Sequence, residues 1–132
     1  MTRRSRHLFL VLALAVAPAA ATATTAGAND GGDRTEVRVT RKCTGAGSLR
    51  LRLRAEDGWI RIDAKIEPVR AGSRWNVIVI HERRIVARVT LPAARSGSVE
   101  LRRTVRDWFG SDTIVVRASA AGGAACRASA AV

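Results

Sequence analysis

The chain has 132 residues and carries 23 Lys and Arg against 11 Asp and Glu, a net charge of +12 at neutral pH. Two histidines and two cysteines are too few for an ordinary zinc site once the cysteines pair, and a serine nucleophile would have only His81 as a conventional base. No Gly-x-Ser-x-Gly occurs, and the glycines of "CTGAGS" lack the Gly-Lys-Ser/Thr ending of a phosphate loop, so the residues point away from an enzyme and call for no cofactor, metal or small-molecule substrate.

In chain order, Arg3, Arg4, Arg6 and His7 form a positive leader, "LFLVLALAVA" from Leu8 to Ala17 an apolar run, and "AAATATTAGA" a small-residue tail after Pro18. That is the make-up of a secretory signal peptide. The run is too short to span about 30 Å of hydrocarbon, and no later apolar stretch is longer. Cleavage is expected after Ala28 (Ala26-Gly27-Ala28), with Ala23 as the alternative. Ser5, Arg6 and His7 follow Arg3-Arg4 where a twin-arginine signal wants apolar residues, so general secretion is the reading. The expected organisation is a signal over residues 1–28, a flexible start over 29–34, and one domain over 35–132. The exported chain would have 104 residues and, with 20 bases against 11 acids, a net charge of +9. The near-exclusive use of arginine over lysine also matches a GC-rich coding sequence, which explains the choice of arginine but not the sign of the charge.

Cys43 and Cys126 are the only cysteines, and an even count in an oxidising compartment predicts one disulfide. Beyond Arg34 the pattern is alternation with period two. "EVRVTRKC" puts Val37, Val39 and Cys43 on one side. "SLRLRLR" puts Leu49, Leu51 and Leu53 inward and Arg50, Arg52 and Arg54 outward; "WIRIDAKIE" puts Ile60, Ile62, Ala64 and Ile66 inward. Between them Asp57-Gly58 predicts a two-residue type I′ turn. That turn sets Glu56 opposite Trp59, and then Leu53 opposite Ile62, Leu51 opposite Ala64 and Leu49 opposite Ile66, so inward residues meet inward residues. On the outer face Arg52 is expected opposite Asp63, Arg50 opposite Lys65 and Arg54 opposite Arg61. This row, Arg50, Arg52, Arg54, Arg61 and Lys65, admits two readings: a solvated strand face, or an anion-binding surface.

Trp75, Val77 and Val79 share the core side of the next strand. Ile78 and Ile80 lie on its other side, which predicts a central or covered strand. "HERR" turns the chain into "IVARVTL", "PAARSGS" is a loop, and "SVELRRTVRD" directs Val99, Leu101 and Val105 inward. "WFGSD" turns again before "TIVVRASA" and a last strand around Cys126. Roughly eight strands at this spacing predict an all-β fold, a single antiparallel β-sandwich. Trp59 flanks the hairpin turn, where stacking with Arg61 or Arg54 is expected. Trp108 and Phe109 fall in a loop, either plugging the open end of the sandwich or presenting an interaction patch.

The run from Cys43 to Cys126, with "DGWIRIDAKIE", "RAGSRW", "SGSVELRRTVRD", "GSD" and "CRA", resembles a group of small secreted actinobacterial proteins. The resemblance implies an immunoglobulin-like β-sandwich with a single wide disulfide tying the first strand to the last. Trp75 comes 32 residues after Cys43, not the dozen or so of an antibody-type domain, so "immunoglobulin-like" refers to architecture. The expected partners are anionic polymers of the cell wall or other polyanions, attracted by the net charge. The alternative is an inhibitor or interaction module that binds a secreted or surface protein through "HERR" or "DWFG".

Overall fold

The computed structural model describes residues 34–132; the signal peptide expected over 1–28 and the tail up to 33 lie outside the described residues. Eight strands follow one another: β1 Thr35–Lys42, β2 Ser48–Glu56, β3 Trp59–Glu67, β4 Arg74–His81, β5 Arg84–Pro92, β6 Val99–Arg106, β7 Thr113–Ala120 and β8 Ala125–Ala131. They form two four-stranded antiparallel sheets, β1-β2-β3-β6 and β5-β4-β7-β8. None of the described elements is a helix long and apolar enough to cross a membrane.

The β2–β3 hairpin has the register that its turn dictates. Asp57 and Gly58 both take positive φ, 53° and 75°, and the pairs Glu56–Trp59, Leu53–Ile62, Leu51–Ala64 and Leu49–Ile66 follow. The alternation then sorts each strand into an inner and an outer face. Leu49, Leu51, Leu53, Ile60 and Ile62 of the first sheet meet Trp75, Val77, Val79, Ile114 and Val116 of the second, all nearly inaccessible. Burying a side chain of this size contributes about 1.5–3 kcal/mol, so this layer is the main source of cohesion. β4 is central in its sheet, as its two apolar sides require, although Ile78 and Ile80 are only half-buried.

Cys43 at the end of β1 is bonded to Cys126 in β8, so the disulfide joins the first strand to the last across 83 residues. The Thr44–Ala125 bridge adds backbone hydrogen bonds beside it. The sheets therefore meet along the β1/β8 edge, while β5 and β6 stand farther apart on the opposite edge. There β6 turns an arginine, Arg103, to the inner side opposite Ile62, and it remains exposed. An inward charge on an edge strand discourages another strand from adding to it.

Candidate functional site

Cross-strand register extends the arginine row of the hairpin over the whole outer face of the first sheet. Arg52 lies opposite Arg38 of β1, and Asp63 and Arg61 lie opposite Arg102 and Thr104 of β6. The face carries nine bases and five acids, a net of +4. An open trough of about 1160 Å³ is lined from all four strands by residues including Arg38, Arg50, Arg52, Arg54, Arg61 and Arg102. The structure thus brings together all five basic residues singled out in the sequence and adds Arg38 and Arg102.

Most of these charges are already partnered. Glu36 on β1 accepts from Arg38 at 2.5 Å, Arg52 at 2.8 Å and Arg54 at 3.4 Å. The hydrogen bond from Arg52, reinforced by Arg38, lowers the Glu36 carboxyl to about 2. Glu67 pairs with Arg50 and, at 2.8 Å, with Lys65, whose hydrogen bond pulls the carboxyl below its ordinary value. Arg102 lies 3.7 Å from Asp63. The expected opposition of Arg52 and Asp63 holds for the backbone, but the side chains choose other partners: Arg52 reaches Glu36 and Asp63 is approached by Arg102. A diagonal neighbour on the next strand is within reach of so long a side chain, and the hairpin sequence alone does not say that β1 lies beside it. Arg61 has no ion pair among the described residues, and the buried Nε of Arg52 has no hydrogen-bond partner.

Trp59 stacks with neither Arg61 nor Arg54. Its ring lies under Arg106, 5.0 Å from the guanidinium, because β6 pairs Arg106 directly with Trp59.

The second constellation was only half legible in the sequence. His81 closes β4 at the hairpin corner, as expected, but it is buried, with its Nε2 2.9 Å from Asp112 Oδ1. The other oxygen of Asp112 accepts the Trp108 backbone N–H at 2.6 Å. Burial pushes the Asp112 carboxyl up, but the hydrogen bonds from His81 and Trp108 outweigh it and leave it below its ordinary value. Asp107, hydrogen-bonded to Asp112 and partly desolvated, is pushed up. The Trp108 ring stacks on the His81 imidazole, centroids 4.1 Å apart, and Arg84 lies over its ring at 5.7 Å. In the loop expected either to plug the open end or to present a patch, Trp108 lies over His81 at the end of the sandwich, whereas Phe109 is fully exposed. Asp112 escapes a sequence reading because it stands 31 residues from His81 in a stretch that reads as a turn; only the β4–β7 pairing brings them together.

The outer face of the second sheet differs sharply from that of the first. Arg88, Ile78, Arg117 and Arg127 lie side by side across β5, β4, β7 and β8, and Arg74 lies two levels away. This face holds four arginines and no acid, and none of the four is ion-paired with another described residue. No group of three or more potential metal ligands occurs among the described residues. No family model, curated protein or solved structure matches the chain.

Proposed function

We propose that the protein is a secreted, non-enzymatic β-sandwich that binds anionic polymers of the cell surface through the arginine-rich outer face of its first sheet. The observation that carries this reading is the four-strand trough of the first sheet, where the hairpin row joins Arg38 and Arg102 in one continuous basic field. The net positive charge of such a face attracts a polyanion over distances of a Debye length, about 8–10 Å in ordinary buffers, before any specific contact forms. Arg61 has no ion pair among the described residues, and carboxylates such as Glu36 and Glu67 can yield their guanidinium partners to a phosphate or sulfate.

The disulfide supports export to an oxidising compartment. Connectivity supports the immunoglobulin-like classification: β3 pairs with β6 in one sheet while β4 pairs with β7 in the other, the interlocked arrangement of Greek-key sandwiches. The non-enzymatic reading is supported by His81, which is sealed under Trp108 and spends its Nε2 on Asp112. The test is retention of the oxidised protein on isolated cell wall and on heparin. Retention should fall steeply with salt, and Arg50→Gln with Arg52→Gln should flatten that dependence by about one unit of log-log slope for each arginine that neutralises a polymer anion. Retention indifferent to salt rejects the proposal. A single stoichiometric protein partner captured from culture medium would favour the interaction-module alternative.

A further inference from the structure

The large apolar side chains left exposed among the described residues, Trp59, Ile85, Trp108 and Phe109, gather at one end of the sandwich. Trp59 follows the β2–β3 turn, Ile85 follows the β4–β5 turn, and Trp108 and Phe109 belong to the β6–β7 loop. These segments are tied together. Asp107 N–H donates to the Gly58 carbonyl at 3.0 Å, the Thr113 N–H donates to the Glu82 carboxylate, and Trp108 stacks on His81. Phe109, at 109% relative exposure, has nothing against it, yet its loop is anchored one residue earlier and three residues later through Asp112. A fully solvated phenylalanine on a pinned loop is a presented side chain, not a frayed one.

The surroundings are cationic. Arg84 and Arg106 lie over the rings of Trp108 and Trp59, and Arg83 sits in the β4–β5 turn. That turn has positive φ at both Glu82 (44°) and Arg83 (66°), a conformation that favours Asn-Gly and that other side chains adopt at a cost. Behind the tip, Ile80, Ile85 and Val115 continue the apolar surface on the outer face of the second sheet. The row of Arg88, Arg117 and Arg127 comes two residues further back along the strands, at the level of Ile78. Two residues of strand are roughly 7 Å.

From this geometry we infer that the protein docks tip-first on the surface of an anionic lipid bilayer. Immersing the aromatic end by roughly 5–10 Å, the usual depth of interfacial binding, buries Phe109 and Ile85 and brings the second-sheet arginines close to the headgroup phosphates. Tryptophans stacked under arginines have one apolar and one charged aspect, which suits the membrane–water interface. The four apolar residues come from three separate turns. A soft bilayer accommodates that arrangement, whereas a stable protein interface needs a continuous patch of roughly 800 Å² on each partner.

The test is co-sedimentation of the oxidised protein with vesicles of phosphatidylcholine alone or with roughly one-third phosphatidylglycerol. The protein should partition onto the anionic vesicles and not onto the neutral ones. Phe109→Ser should weaken partitioning by about tenfold or more. The triple change Arg88→Gln, Arg117→Gln and Arg127→Gln should weaken it by roughly tenfold to a hundredfold. All four positions are exposed, and near-ultraviolet circular dichroism checks that each variant stays folded. Arg50→Gln with Arg52→Gln should change partitioning by less than about threefold, since both side chains lie on the outer face of the other sheet, away from Arg88, Arg117 and Arg127. Failure to bind anionic vesicles, or parental binding by Phe109→Ser, overturns the inference. Because vesicle and polymer binding are read on different faces, loss of heparin retention in the first-sheet variant with vesicle binding intact leaves this inference standing, and the converse leaves the polymer reading standing.

Discussion

The outer face of the first sheet and the His81 end of the sandwich both set a carboxylate against a nitrogen-bearing side chain, yet they do so under opposite physical conditions. On the sheet, Arg38, Arg52 and Arg54 share Glu36 in the open, with side-chain exposures between 22% and 69%. At the end of the sandwich a single pair, His81 with Asp112, is sealed at 1% and 3%. Exposed pairs exchange with water and salt and are worth about 0–1 kcal/mol each. A buried carboxylate stripped of one partner leaves an uncompensated acceptor and costs several times more. The number of ion pairs is thus a poor guide to what holds this fold. The many pairs of the sheet tune its surface potential, while the one buried pair fixes a loop.

The strongest way to break this comparison is to invert the strand on which it depends. Leu51 lies between Arg50 and Arg52 and is fully buried. Leu51→Asp would place an unpaired carboxylate in the core and should abolish cooperative thermal unfolding altogether. A folded Leu51→Asp protein would mean that inside and outside of β2 are exchanged. Next in size, Asp112→Asn should destabilise by about 2–4 kcal/mol, measured by urea denaturation, because it weakens the bonds to His81 and to the Trp108 backbone. Trp108 should become more solvated at the same time, seen as a red-shifted emission in a variant whose other two tryptophans are phenylalanine. A loss under about 0.5 kcal/mol would erase the contrast between the two regions.

Smaller still is the effect of Arg50→Gln with Arg52→Gln, which should change stability by less than about 1 kcal/mol by the same measurement. Glu36 sharpens the point through pH. Its carboxyl is lowered from 4.5 to about 2, so its contribution is complete above pH 4.5 and is lost as the pH falls from there toward 2. A Glu36→Gln variant should therefore show a shallower acid destabilisation across that window than the parent. The difference should shrink in high salt, since the pairs are solvent-exposed. An acid limb unaltered by the substitution would show that Glu36 and its three arginines are energetically uncoupled.

Much of the hairpin is legible in the sequence because its determinants are local. Asp57-Gly58 selects the turn, period two selects the face, and together they leave one register in which Leu51 meets Ala64 and Leu53 meets Ile62. The disulfide follows from there being two cysteines, and β4 as a central strand from its apolar residues on both sides. The partners of the outer side chains are not legible, because a residue's diagonal neighbours depend on which strand lies beside it. Glu36 can be assigned to Arg52 only once β1 is placed next to β2, and Arg106 to Trp59 only once β6 is placed next to β3.

Composition and alternation therefore determine an all-β, strongly basic chain whose arginines stand outward, since each of those properties is carried by residues adjacent in sequence. Strand order decides the rest. It places five carboxylates among the arginines of the first sheet and none among those of the second. It also brings His81 to Asp112 across 31 residues and gathers Trp59, Ile85, Trp108 and Phe109 at one end. These are contacts between distant segments, whose cost in chain entropy is repaid only when the whole core forms, so nothing in the local sequence records them.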